Sequence, residues 1–293
     1  METELLTQLD DSEKEWWGGV IKDFRSRLIT EPKLYANNIL TESWTNEEEM
    51  LNNLDSVIKS ARDQIWQLYL IDEAKFHAEV LAYLFMERDL PKSILESLVS
   101  RDVLCAIENQ EDFTKELGRL MGLYAGRVMP YVYELALSTT QSRRSRAGKT
   151  FEQLVESLLE HFGVSYNNQS SVASTLFSSA GLGKKVDAIV PGIAQYISNR
   201  SKCAVVTMKT TLRERWQEVA EELSRTNVPH IYLLTADENV TINVIDTMKN
   251  YNIALVVYGS EKNTKFQENE NVYSFTDFFT REMRFIMAYW EGR

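Results

Sequence analysis

Two charged residues lie in stretches of sequence that otherwise predict buried strands. Asp187 is inside the apolar run VDAIV, and Lys209 directly follows the next run, AVVTM. Burial of an unpaired charge is costly, so each residue requires a partner or a function. A carboxylate that holds a divalent cation, with a lysine that orients the attacking water, is suited to phosphodiester hydrolysis. The alternative interpretation is a salt bridge at the strand ends.

Further acids surround this pair in the sequence. Glu152 and Glu156 lie one turn apart on an upstream helix, and Glu218, Glu221 and Glu222 lie on a downstream one. Carboxylate oxygens favour a hard cation such as Mg²⁺. The two cysteines and three histidines form no zinc-binding pattern, which argues against a zinc enzyme. Spacing alone does not choose the second metal ligand among the downstream acids.

A basic segment, residues 141–150 (QSRRSRAGKT), contains no acid, although the chain has a net charge of −11. That overall charge argues against a general nucleic-acid coat protein, because DNA phosphates require lysine and arginine. The local charge predicts phosphate contacts, and a solvated loop or helix start is the alternative. The positive residues are Arg143, Arg144, Arg146 and Lys149.

A second charged cluster opens the helix predicted after Lys209. It consists of Arg213, Glu214 and Arg215. Arginine donates to guanine O6 and N7, and glutamate accepts from cytosine N4. The cluster therefore carries groups that can contact the edges of guanine and cytosine in the major groove. A solvent-exposed run of charges is the other interpretation.

The elements that must position these residues follow from the spacing of apolar side chains. Up to about residue 140 this spacing is mostly helical. Helices are predicted over residues 46–71, 73–86, 91–107 and 113–137, and the last should bend or break at its glycines and Pro130.

After about residue 145 the pattern changes to alternating helices and strands. A helix that begins near Phe151 closes at Gly163, and a final amphipathic helix covers residues 275–290. Strands are predicted at residues 186–190, 204–208, 231–234 and 253–258, with helices over 213–223 and 240–249 between them. This alternation is typical of an α/β fold in which helices cover a sheet.

Length and composition are those of an ordinary globular protein. The chain has 293 residues, 44% of them hydrophobic and 26% charged, enough for one large domain or two modest ones. It contains no apolar run of about 18 residues that would predict a membrane span. The acidic start of the chain lacks the basic region of a signal peptide. We therefore expect a cytoplasmic protein.

Three segments, in order, resemble Type II restriction endonucleases of the SsoII, PspGI and EcoRII group. They are RRSRAGKTFE (143–152), VDAIV (186–190) and KTTLRERWQEV (209–219). The resemblance implies a PD-(D/E)xK nuclease core, a central mixed β-sheet flanked by helices, over residues 141–293. Residues 1–140 form the implied helical N-terminal region, which serves dimerisation and contacts the minor groove and the central bases.

The resemblance also implies roles for the acids and the lysine. Asp187 and Glu222 are metal ligands, Lys209 is the catalytic lysine, and Glu152 is an additional acid. In this variant of the core, the acid that usually lies two residues before the lysine is moved to the next helix. Thr207 occupies the usual position here, and Val186 replaces the usual proline before the aspartate.

Recognition residues follow from the same resemblance. Arg213, Glu214 and Arg215 are the major-groove readers, and Gln141 resembles a minor-groove contact. Arg62 and Trp66, one helical turn apart, resemble the pair that holds a flipped-out central nucleotide. Packing of Trp66 in the hydrophobic core is the alternative.

The function implied is a Mg²⁺-dependent homodimeric endonuclease that cuts double-stranded DNA at a palindromic CC-x-GG site, 5′ of the CC run. A DNA methyltransferase that modifies the same site is its expected counterpart, without physical association. Two other functions are compatible with this fold. One is a catalytically silent DNA-binding protein, which the presence of Asp187, Lys209 and Glu222 argues against. The other is an enzyme acting on structured or damaged DNA, which would not need the cluster at 213–215.

Overall fold

The chain folds into two compact units in a computed structural model that describes residues 8–44, 46–100, 109–169, 171–172, 174–182, 186–212, 216–217, 219–221 and 230–292. The helical unit comprises Met1–Thr30 and Gln67–Ser145, and the sheet unit comprises Glu31–Trp66 and Arg146–Arg293. This division differs from the single boundary expected after residue 140. Residues 31–66 belong to the sheet unit because their apolar side chains, such as Ile39 and Leu54, lie in its hydrophobic core.

The first half of the chain is helical, as expected. Its helices are α1 (Asp11–Leu28), α2 (Pro32–Ser43), α3 (Glu47–Asn52), α4 (Leu54–Glu87), α5 (Leu90–Leu98) and α6 (Gln110–His161). Of the bend or break expected at Pro130, the break is wrong, because α6 continues through this residue. Near Pro130, the side chains of Val128, Tyr131 and Leu135 are buried. Their packing offsets the free-energy cost of the backbone hydrogen bond that proline cannot make.

The second half alternates strands and helices. In order they are β1 (Asn167–Asn168), α7 (Ser174–Ser179), β2 (Ala188–Val190), α8 (Ile193–Ser198), a 3₁₀ turn (Arg200–Lys202), β3 (Ala204–Lys209), β4 (Ile231–Thr235), α9 (Ile242–Asn250), β5 (Ile253–Val257), α10 (Gly259–Lys265) and β6 (Val272–Ser274). The chain then continues as α11 (Phe275–Asp277), a π-helical segment (Phe278–Met283) and α12 (Arg284–Glu291). The strands predicted from the sequence are confirmed within a few residues. The helix predicted over residues 213–223 falls largely outside the described residues.

The six strands form one mixed sheet in chain order. Strands β1, β2 and β3 pair antiparallel, and β3 to β6 pair parallel. Alternate side chains point to opposite faces, so Val206 lies in one hydrophobic cluster and Val205 in the other. The expected α/β core with a central mixed sheet is therefore confirmed. Among the described residues, no helix has the length and apolar character needed to cross a membrane.

Candidate active site

Asp187 and Lys209 meet where β2 begins and β3 ends. Lys209 Nζ donates a hydrogen bond to Asp187 Oδ2 at 3.2 Å. The same oxygen accepts from the backbone N–H of Met208 at 2.6 Å and from the Thr207 hydroxyl at 3.1 Å. The side chains of Asp187 and Lys209 are 21% and 14% exposed, so the pair is largely buried but accessible to solvent. The structure thus brings the two residues together, and their chemical roles stay predictions.

Strand pairing holds this pair in place. In the antiparallel ladder, Ala188 is opposite Val206, and the Asp187 N–H donates to the Val206 carbonyl at 2.9 Å. On the other side of β3, Lys209 is opposite Thr235, whose hydroxyl donates to the Lys209 carbonyl at 2.7 Å. The backbone of each residue is therefore fixed by a neighbouring strand, which limits the positions that their side chains can take.

Glu152 adds a carboxyl from α6, and its side chain is half-buried. Burial raises the pKa of Glu152, and the negative charge of Asp187 raises it further, while Lys209 acts in the opposite direction. Glu156, one turn later, is buried and accepts a hydrogen bond from Asn168 Nδ2 at 2.8 Å. Burial also raises the pKa of Glu156. Both carboxyls therefore lie where a negative charge is disfavoured.

A divalent cation fits these surroundings, because Mg²⁺ prefers oxygen ligands and its charge would offset the repulsion between Asp187 and Glu152. Within the described residues, no group of three or more acidic, histidine or cysteine side chains is arranged to hold a metal ion. Glu222, the expected second ligand, lies outside the described residues, as does Glu218, and Glu221 is exposed. Asp187 and Glu152 are thus the predicted site carboxyls that the described residues include, and their roles toward a cation stay predictions.

Glu152→Gln is expected to stabilise the metal-free protein by up to about 1 kcal/mol, an ordinary single-substitution effect, while lowering cleavage. A carboxyl whose pKa is raised on folding destabilises the protein above that pKa and not in acid. Because burial and Asp187 raise the pKa of Glu152, the gain should be present near pH 7 and vanish toward about pH 4. Thermal unfolding in EDTA at the two pH values measures it.

The matched control is Glu160→Gln on the same helix. Burial raises the pKa of Glu160, but hydrogen bonds from Lys33 and Tyr166 outweigh burial and lower it overall. Loss of the Glu160 carboxylate should therefore destabilise the protein near neutral pH, which is opposite in sign to the effect expected for Glu152→Gln. Added Mg²⁺ should raise the Tm of the wild type more than that of Glu152→Gln. If the Glu152→Gln protein were less stable than the wild type near neutral pH, the inferred repulsion between the Glu152 and Asp187 carboxylates would be contradicted.

Asp237 holds the backbone of Leu212, the residue directly before the cluster at 213–215. The sequence did not indicate this role of Asp237. Asp237 Oδ2 accepts from the Leu212 N–H at 2.9 Å, and the Asp237 N–H donates to the Thr235 hydroxyl at 3.1 Å. The available signal was an acid three residues after a predicted strand, a common position for a turn. The predicted base readers lie outside the described residues: Arg213, Glu214 and Arg215.

Arg62 and Trp66 lie on α4 in the sheet unit. Arg62 Nη1 donates to the Tyr258 hydroxyl at 3.2 Å, and its guanidinium carbon lies 5.8 Å from the centre of the Phe151 ring. Trp66 is half-buried, so it is not a fully buried core residue. The described contacts fix the guanidinium of Arg62, and the role of the pair toward a flipped base stays a prediction.

The basic segment at residues 141–150 is part of α6 and not a loop. Within the helical unit, Arg143 forms a bidentate ion pair with Glu73 of α4. The Arg143 guanidinium is paired with a buried carboxylate while its side chain is 47% exposed, and its phosphate contact stays a prediction. The other predicted DNA contacts of this segment also lie on α6, with all but the half-buried Arg146 exposed: Gln141, Arg144, Arg146 and Lys149.

Comparison with known proteins identifies related sequences. Residues 118–279 match the family model described as EcoRII C terminal. The Type II restriction enzyme SsoII of Shigella sonnei is 34% identical over 266 residues, which cover 90% of this chain and 80% of that protein. The Type II restriction enzyme EcoRII of Escherichia coli is 26% identical over 129 residues, which cover 43% of this chain and 30% of that protein.

Solved structures extend the likeness to the fold. Metal-depleted Ecl18kI in complex with uncleaved DNA is 28% identical, with a TM-score of 0.70 and coverage of 94% of this chain and 86% of that chain. The PspGI–substrate DNA complex is 18% identical, with a TM-score of 0.58 and coverage of 89% and 94%. At that identity the likeness to PspGI is one of fold.

Proposed function

Because this chain belongs to the EcoRII C-terminal family and is a Type II restriction endonuclease of the SsoII and EcoRII type, we propose that it uses Mg²⁺ to hydrolyse double-stranded DNA at a palindromic CC-x-GG site. Each strand is cut 5′ of the CC run, leaving a 5′-phosphate and a 3′-hydroxyl. The site and cut position are supported by the three segments that resemble the SsoII, PspGI and EcoRII group.

The contact between Asp187 and Lys209 is the observation that carries this proposal. A catalytic acid and lysine must face the same phosphate, and here they are 3.2 Å apart at the ends of neighbouring strands. A purely structural salt bridge would not require the half-buried Glu152 beside it, whose pKa is raised by burial and by Asp187. An unfavourable cluster of charge is typical of functional sites.

Each residue of the active site has a separate role in the proposed hydrolysis. Asp187 and Glu222 would hold Mg²⁺, which when bound would stabilise charge on the scissile phosphate and lower the pKa of a bound water. Glu152 would add negative charge beside the cation. Lys209 donates hydrogen bonds through Nζ and orients the attacking water, while its contact with Asp187 keeps the ammonium at the site.

Sequence recognition is assigned to a helix start and to α6. Arg213, Glu214 and Arg215 read the CC/GG half-site in the major groove, since their donors and acceptors match guanine and cytosine edges. Gln141 contacts the minor groove. Phosphate contacts, which position the protein without reading sequence, come from Arg144, Arg146 and Lys149.

The central bases of the DNA site are recognised by extrusion from the duplex and not by major-groove contacts. Extrusion of the central bases would bring the two half-sites into register at an unstacking cost of a few kcal/mol. Trp66 offers an aromatic surface on which a flipped base can stack, and Arg62 offers donors. A palindromic site presents two equal half-sites, so the active form is a homodimer with one active site per strand. We place it in the cytoplasm, where a separate methyltransferase protects the same site.

Digestion of a DNA of known sequence in Mg²⁺, followed by sequencing of the ends, tests this function. Cuts should occur on both strands, 5′ of CC, at CC-x-GG sites only. Parallel reactions with Ca²⁺ and with Asp187→Ala should bind the DNA and leave it intact. Binding of the site without cutting would instead indicate a catalytically silent DNA-binding protein. Cutting confined to structured or damaged DNA would indicate the third function considered above.

A further inference from the structure

Three charged side chains on one face of α4 contact the end of β5 within the sheet unit. Asp55, Lys59 and Arg62 are four and three residues apart, so they lie on the same face of the helix. The Asp55 carboxylate accepts from the backbone N–H groups of residues 259–260 at 2.8 and 2.9 Å. Lys59 and Arg62 both contact Tyr258, the residue directly after β5. This part of α4 is therefore docked on the end of that strand.

Tyr258 contacts the two cations in different ways. Lys59 Nζ lies 4.5 Å from the centre of the tyrosine ring, and it also forms an ion pair with Glu238 at 2.6 Å. Arg62 Nη1 donates to the tyrosine hydroxyl at 3.2 Å. Tyr258 is 1% exposed, and its ring centre lies 5.5 Å from that of Phe275. Because the ring is held by this packing, its hydroxyl is a fixed acceptor for the guanidinium.

The acceptor that Arg62 uses is neutral. Burial raises the pKa of the Tyr258 hydroxyl above its ordinary value, so the group is protonated near neutral pH. Arg88 and Arg143 are each paired with a carboxylate. Arg62 is half-buried, and it forms no ion pair with any residue that the structure describes. A guanidinium has five N–H donors, so Tyr258 orients Arg62 without neutralising its charge.

Tyr258 also places Arg62 at the edge of the sheet where the candidate active site lies. Strands β3, β4 and β5 are parallel, so their carboxyl ends share one edge. Lys209 is the last residue of β3, and Tyr258 directly follows the last residue of β5. Ligands of α/β sheets usually bind outside the carboxyl ends of the strands. An oriented arginine whose charge is not neutralised is suited to contact DNA at this edge.

We infer that Tyr258 is a positioning residue for recognition of the central bases of the DNA site. Its hydroxyl orients the Arg62 guanidinium and leaves the charge and the other N–H donors for an extruded base. A carboxylate in place of this hydroxyl would instead pair with the arginine. The inference rests on the proposed function, in which the central bases leave the duplex and meet Arg62 and Trp66.

Tyr258→Phe tests the inference, because it removes the hydroxyl and keeps the ring that packs against Phe275 and Lys59. A duplex with 2-aminopurine at the central position of a CC-x-GG site should change strongly in fluorescence when the wild type binds it in Ca²⁺, since an extruded base leaves the stack. Tyr258→Phe should show a clearly smaller change. It should also cut the normal site in Mg²⁺ about 10-fold more slowly, the loss typical of one hydrogen bond to a charged group.

Tyr232→Phe is the matched control. Tyr232 is also a buried tyrosine of the sheet unit, and its hydroxyl donates to Glu282 Oε2 at 2.7 Å. It lies near the start of β4, at the opposite edge of the sheet from Tyr258. Its loss should lower the Tm and leave the fluorescence change and the cleavage rate as in the wild type. Circular dichroism should be the same for all three proteins.

A double-mutant cycle shows whether Tyr258 acts through Arg62. Arg62→Ala should reduce the fluorescence change and slow cleavage. Addition of Tyr258→Phe to Arg62→Ala should have no further effect on either measurement, because the hydroxyl then has no guanidinium to orient. Losses that multiply in the double variant would overturn the inference.

Other outcomes separate this inference from the proposed function. If the wild type changes the fluorescence and Tyr258→Phe does so equally, extrusion stands and the role of Tyr258 is wrong. If Tyr258→Phe weakens binding of specific and scrambled duplexes equally, with the fluorescence change intact, Arg62 is a phosphate contact and the inference is again wrong. If the wild type cuts the duplex with no fluorescence change, extrusion itself is refuted, and the inference with it.

Discussion

Lys209→Ala is expected to reduce DNA cleavage by about 10²–10⁴-fold, the range for a positioned group that handles a proton or a water, with the fold intact. Lys209 Nζ is held by Asp187 Oδ2 at 3.2 Å and by the Met208 carbonyl at 2.9 Å. An alanine leaves the backbone pairing with β4 in place, so the loss should be chemical. Single-turnover cleavage of a plasmid in Mg²⁺ measures the effect.

Two companion variants separate the roles at this site. Asp187→Ala should lose cation binding, measured by calorimetry with Ca²⁺, whereas Lys209→Ala should retain it, because only the carboxylate is a metal ligand. Lys249→Ala, which removes an exposed lysine on α9 of the same unit, should cut as the wild type does. Near wild-type cleavage by Lys209→Ala would show that the active site lies elsewhere.

Arg143→Ala is expected to destabilise the protein by about 2–4 kcal/mol, because removal of one partner leaves a buried charge unpaired. The Glu73 side chain is 4% exposed and that of Arg143 is 47% exposed, so solvent offsets part of the loss. Burial alone would raise the pKa of Glu73, but hydrogen bonds from Arg143 and Tyr69 outweigh it and hold that pKa below its usual value. Urea unfolding measures the change.

The pH dependence of this loss has a definite sign. A carboxyl whose pKa is lowered on folding contributes stability above its unfolded pKa, and the contribution is lost as the pH falls through the folded value. The difference between the wild type and Arg143→Ala should therefore shrink in acid. Arg144→Ala, at an exposed neighbouring position, should leave stability unchanged and weaken DNA binding with a smaller salt dependence. Unchanged stability in Arg143→Ala would show that the pair with Glu73 does not stabilise the fold.

The strands around the candidate site could be predicted because their signals are local. Asp187 and Lys209 interrupt or end apolar runs, and such runs indicate buried strands without reference to the rest of the chain. Adjacent strands in a chain usually pair, which brought the two residues together in the prediction.

Contacts between distant helices could not be predicted in the same way. Nothing in the local sequence pairs Glu73 with Arg143, because periodicity does not say which helix faces which. The continuous α6 was missed for a related reason, since the cost of Pro130 is offset by packing that the local sequence does not contain. The placement of residues 31–66 in the sheet unit likewise depends on long-range burial.

The hydrogen bonds at Asp187 have a consequence for the order of assembly of the enzyme. Lys209 Nζ, the Met208 N–H and the Thr207 hydroxyl all donate to one oxygen of Asp187. An acid at position 207 would have placed a second negative charge there instead of a donor. Because three protein groups already donate to this one oxygen, we expect the sheet to form without a bound cation. A cation held by Asp187, as proposed above, would then bind to the folded chain.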